Sequence, residues 1–70
     1  MMTNDERVVY IIEFEQGTLS NDDTIRLMSD LAVTKIGYSL QGSYGRYIDA
    51  LKDDGYLNDD GTIKRFIGEE

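Results

Sequence analysis

Thr3-Asn4-Asp5-Glu6-Arg7-Val8-Val9-Tyr10-Ile11-Ile12-Glu13-Phe14-Glu15-Gln16-Gly17 can be read in two ways, and the choice sets the fold class. Val8, Tyr10, Ile12 and Phe14 alternate as in a strand, and β-branched residues are dense. Val8, Ile11, Ile12 and Glu15 also follow helical spacing, with Val8, Ile11 and Ile12 as the apolar part. The ends decide between them. Thr3 with Glu6 three residues on fits a capping box, in which two side chains each satisfy the other's orphan N–H. Gly17 suits the left-handed residue just past a helix. The segment is therefore predicted to be a helix over residues 4–16.

Working outward, Ser20 supplies an N-cap, and Asp22 and Asp23 place negative charge at a helix N-terminus. Ile25, Met28, Leu31 and Ala32 form one face with Leu27 on its flank, which predicts a helix over 21–35 stopped by Gly37. A third helix is predicted over 44–54. Ser43 is its N-cap, Tyr44, Tyr47, Ile48 and Leu51 its stripe, and Gly55 its end. Gly45 in its first turn costs about 1 kcal/mol relative to alanine, which implies a close approach by a neighbour. Asp60-Gly61 lies between short apolar pairs and predicts a hairpin over 56–64. A tail over 65–70 is anchored by Phe66 and Ile67. The expected fold is mainly α: one small three-helix domain, residues 1–70, with a short C-terminal β-hairpin.

Fourteen acids face seven bases in 70 residues, giving a net charge of −7. Such a surface repels phosphate backbones, so direct nucleic-acid binding is disfavoured, and it attracts basic surfaces. There is no histidine and no cysteine. The commonest general base and metal ligand is missing, and no disulfide or thiol chemistry is available. No run of eighteen apolar residues predicts a membrane span, and the acidic N-terminus does not fit a secretory signal. A cytoplasmic location is expected.

Several motifs invite a chemical reading. Asn58-Asp59-Asp60-Gly61 looks like part of a calcium loop. With Gly61 at loop position six, Tyr56 and Ile67 would fall where acidic ligands belong, so a turn accounts for it better. Paired carboxylates recur at Glu13 and Glu15, Asp22 and Asp23, and Asp53 and Asp54. Acid–base chemistry needs such pairs in a shielded cleft, which a chain this short can hardly build. Gly42-Ser43-Tyr44-Gly45-Arg46 could present backbone N–H groups to a phosphate, but the lysine and spacing of a phosphate loop are missing. The glycines are read instead as allowing close packing. No enzyme activity, cofactor or metal is expected.

Tyrosine and arginine are the usual anchors of protein interfaces. Tyr38, Gln41, Tyr44 and Arg46 are therefore the expected partner contacts, with Glu13, Glu15, Asp22, Asp23 and Asp30 providing electrostatic steering. A helix followed by a hairpin also has the outline of a winged helix-turn-helix. Its bases, Arg46 and Lys52, are outweighed by Asp49, Asp53 and Asp54, which suits a nucleic-acid mimic better than a reader.

Three stretches carry a family resemblance: Asp23-Thr24-Ile25-Arg26-Leu27-Met28-Ser29-Asp30-Leu31, Gly37-Tyr38-Ser39-Leu40-Gln41-Gly42-Ser43-Tyr44-Gly45-Arg46, and Ala50-Leu51 with Gly55. With the turn Gly17-Thr18-Leu19 closing an acidic first helix, the chain resembles a family of very short tailed-phage proteins over about residues 8 to 57. The Leu-Gln-Gly-Ser-Tyr-Gly-Arg core is the specific part. The resemblance implies phage origin and little more about mechanism. Small acidic phage proteins commonly bind and disable a host protein, an argument by class. The expected function is inhibition or redirection of a host protein or nucleoprotein complex with a basic surface, such as a CRISPR complex, a restriction enzyme or RNA polymerase. Two other readings stay open: a self-associating module or minor virion component, including a homodimer, and a small phosphate-ligand binder.

Overall fold

The computed structural model describes residues 2–40 and 42–66. The fold is mainly helical. Helix α1 spans Asn4–Gln16, α2 spans Asn21–Val33 and α3 spans Gly42–Asp53, with a single 3₁₀ turn at Ile36–Ser39 between α2 and α3.

Local chemistry explains each boundary. Thr3 stands in extended backbone and its hydroxyl accepts from the Glu6 N–H at 3.2 Å, while the Glu6 carboxylate accepts from the Thr3 N–H at 3.1 Å. That backbone hydrogen bond, with a second from the Thr3 hydroxyl, holds the Glu6 carboxyl below its ordinary titration range. At the far end Gly17 is left-handed at φ 77°, and the Thr18 N–H donates to the Glu13 carbonyl. The α1 segment is thus a helix, which removes the strand reading.

Helix α2 starts on Ser20, whose hydroxyl accepts from the Asp23 N–H. It ends at Val33, two residues before the expected limit, because Lys35 itself takes the left-handed conformation at φ 64°. Helix α3 begins at Gly42, so Ser43 lies in its first turn and is not its cap. Gly55, at φ 85°, follows its end.

The core is built around α2. Ile25, Leu27, Met28 and Leu31 have no solvent exposure, and Ile48 and Leu51 of α3, Tyr44 and Leu57 close over them. Helix α2 contacts α1, α3 and the 3₁₀ turn. Helix α1 reaches α3 through Phe14, whose ring lies 5.4 Å edge-on from Tyr47 and 5.7 Å from Tyr44. Gly37 carries the tightest contact of the 3₁₀ turn. A Cβ there would lie 2.7 Å from Ile48 Cδ1 and 3.0 Å from Leu31 Cβ. Gly45 meets the Tyr38 ring in the same way but more loosely, at 3.4 Å. The glycines of this segment are packing devices at 37 and 45.

The expected hairpin does not form. Among the described residues there is no strand, only an isolated antiparallel bridge between Leu57 and Ile63. Pairing cannot extend past Tyr56, because the Tyr56 and Leu57 N–H groups both donate to the Leu51 carbonyl and close α3. The turn between the paired residues is held by Asp60, which accepts from the Thr62 N–H and hydroxyl, and these bonds lower the Asp60 titration range. Gly61 then presses on α2. Its carbonyl accepts from the buried Ser29 hydroxyl at 2.7 Å, and a Cβ there would lie 2.8 Å from Ala32 Cβ. The segment is a cap docked on α2. Phe66 packs against the core beneath the Arg26 guanidinium, and the expected anchor Ile67 lies outside the described residues.

Candidate docking face

Interior electrostatics set how α1 sits on α2. Arg7 is buried and donates through Nε to Asp30 Oδ2 at 2.5 Å and through Nη2 to Asp30 Oδ1 at 3.2 Å. A third bond, from Nη1 to Asn4, fixes the guanidinium plane. The Asp30 hydrogen bonds raise the Arg7 titration range further, so the guanidinium keeps its charge. A forked pair of this kind fixes rotation about the helix axis. It turns Arg7, Tyr10, Ile11 and Phe14 toward the core.

The consequence appears on the opposite side. Val8, Val9 and Ile12 are exposed by 56%, 51% and 49%. The expected apolar face of Val8, Ile11 and Ile12 is therefore split: Ile11 packs inward and the other two face solvent. At 3.6 residues per turn, Asp5, Val8, Val9, Ile12 and Gln16 share one outer face about 17 Å long. Glu13 borders it on one side and Glu15 on the other.

The residues expected to contact a partner divide sharply. Asp30 is buried against Arg7 and cannot steer a partner. Tyr44 is only 5% exposed, its ring tilted against Phe14, so it is a core residue and not a surface anchor. Its buried hydroxyl meets no hydrogen-bond partner among the described residues, and burial, with the charge of Glu15 beside it, pushes its phenol above the ordinary tyrosine range. Tyr38 is half exposed, and its hydroxyl accepts from Lys52 Nζ at 3.1 Å. That contact raises the Lys52 titration range. Arg46 is exposed on α3. Gln41 lies outside the described residues. Glu13 is half-buried and Glu15 exposed at the end of α1, while Asp22 and Asp23 sit in the first turn of α2, with Asp23 paired to Arg26 at 2.7 Å. The acids thus flank the Gly17–Ser20 turn, whereas Tyr38 and Arg46 belong to the 3₁₀ turn and α3.

A groove of about 410 Å³ runs between α1 and α2. The charged groups lining it are already engaged: Glu6 with Thr3, Arg26 with Asp23 and Asp30 with Arg7. Among the described residues, no group of three or more acids could hold a metal ion, and no helix is long and apolar enough to cross a membrane.

Fold and surface together define a small helical scaffold that exposes an acid-bordered apolar face. The chain belongs to the family described as Domain of unknown function (DUF7417), whose model it matches over residues 2–69. No curated protein and no solved structure matches the chain.

Proposed function

We propose that the chain is a phage-encoded, non-enzymatic binding protein. It docks on the basic, nucleic-acid-facing surface of a host protein or nucleoprotein complex, in the host cytoplasm, and blocks it by occupation. The phage origin rests on the resemblance of the Leu40–Arg46 core to short tailed-phage proteins. Candidate targets are a CRISPR complex, a restriction enzyme or RNA polymerase.

The observation that carries this reading is how the charges are placed. Four of the seven bases are held by the protein's own side chains: Arg7 by Asp30, Arg26 by Asp23 and the Phe66 ring, Lys52 over Tyr38, and Arg65 over Tyr56 at 4.6 Å. The acids Asp5, Glu15, Asp49, Asp53, Asp54 and Asp59 remain at the surface. A surface of this sign accelerates encounter with basic partners and weakens with salt. The test is capture from host lysate followed by a nucleic-acid competition assay on each captured protein. Dose-dependent release of nucleic acid, weaker at higher salt, is expected. Captured proteins that all keep their nucleic acid at saturating amounts of the chain would contradict the proposal.

A further inference from the structure

The outer face of α1 uses none of the chain's own core, and its composition specifies what could cover it. We propose that this face seats an amphipathic helix of a partner protein, apolar along one stripe and lined with lysine or arginine at its edges. The inference rests on the reading of a basic partner and adds the site and the partner's form.

Three observations support it. First, the exposure is built in. The Arg7–Asp30 fork fixes the rotation of α1, and Tyr10, Ile11 and Phe14 fill the contact with the core, so among the described residues Val8, Val9 and Ile12 are left on the solvent side. Second, the shape is that of a helix-packing ridge. Val8 and Ile12 are one turn apart, Val9 and Ile12 nearly so, and the face runs straight along a capped helix. Third, the borders select the occupant by charge. Asp5 lies at one end, with Glu6 and Glu13 along one edge and Glu15 along the other. The single base of the helix, Arg7, is turned inward.

A second copy of the chain fits this face poorly. An antiparallel pair of α1 helices would set Glu6 against Glu13 and Asp5 against the Glu15–Gln16 end. A parallel pair would set Glu13 beside Glu15. Both arrangements place like charges along the seam, which is destabilising at these positions. An anionic lipid surface is repelled by the same acids. A helix with basic edges turns every one of these contacts favourable, and apolar residues at its i, i+3 or i+4 positions would cover the valines and Ile12.

The experiment uses the full chain, isotopically labelled for NMR, and a synthetic leucine–lysine peptide of about four helical turns. A peptide of the same composition in scrambled order is the control. Saturable shift changes centred on Val8, Val9, Ile12 and Glu13 are expected with the amphipathic peptide, weakening as salt rises. Val8→Gln/Ile12→Gln, which keeps the charge and changes only exposed residues, should lower affinity about tenfold or more. Glu13→Gln should lower it less and flatten the salt dependence. Equal binding of the scrambled peptide would overturn the seat while leaving the broader acidic-surface reading in place. Shifts centred on α3 would do the same. A dimer in sedimentation equilibrium that dissociates in Val8→Gln/Ile12→Gln would overturn the proposal in favour of self-pairing. If neither peptide binds at low salt, both the seat and the basic-partner reading fall.

Discussion

Helices α1 and α2 are each thirteen residues long, yet they stand in opposite relations to the core. In α2 the apolar residues are inside except Val33 at its end, and Thr24, Ser29 and Asp30 are buried with them. In α1 only Arg7 is buried, while two valines and an isoleucine face solvent. The difference shows that apolar content does not by itself report burial. A helix with one apolar stripe has one way to sit. A helix with apolar residues on most sides has several, and a polar residue then selects among them.

The largest predicted effect breaks that selection. Asp30→Ala leaves the Arg7 guanidinium buried without its carboxylate, which should cost about 3 kcal/mol. A domain this small has only a few kcal/mol to lose, so urea unfolding should show little or no cooperative transition remaining. Arg7→Met with Asp30→Leu should recover much of the loss, because an apolar pair of similar volume needs no charge partner. Recovery would show that the fork adds little net stability over an apolar pair of similar volume.

The second effect concerns the glycines around α2 and is intermediate. Gly37→Ala places a methyl against Ile48 and Leu31 and should cost about 1–3 kcal/mol. Gly42→Ala meets nothing nearer than Arg46 Nη1 at 3.9 Å and should be neutral or stabilising by about 0.5 kcal/mol. Thermal unfolding of the two variants side by side checks the contrast. Equal losses would mean that Gly37 is not the point of close approach.

These contrasts also show what could be read from the sequence. The three helices were legible because Thr3, Ser20, Gly17 and Gly55 act through local backbone chemistry, which depends little on the rest of the fold. The inner face of α2 was legible because its period is clean. The setting of α1 was not, since it depends on Arg7 finding Asp30 twenty-three residues away. Tyr44 looked like a surface anchor because tyrosine suits interfaces, and only Phe14 packing against it places it inside. The hairpin failed for a related reason: Asp60-Gly61 does turn the chain, but the adjoining backbone is committed to closing α3 and docking on α2. For the candidate site, Glu13 and Glu15 were visible as acids. The valines and Ile12 between them were visible only as apolar residues with no stated side. A count of apolar residues too large for the core of one short helix is the signal that could have found them.

The smallest predicted effect is also the most direct test, because the outer face of α1 is spare to the fold. Urea unfolding of Val8→Gln/Val9→Gln/Ile12→Gln should give a stability within about 1 kcal/mol of the natural chain, as for three exposed substitutions. A loss of about 3 kcal/mol or more, the size expected for core truncation, would place these residues in the core and contradict the account.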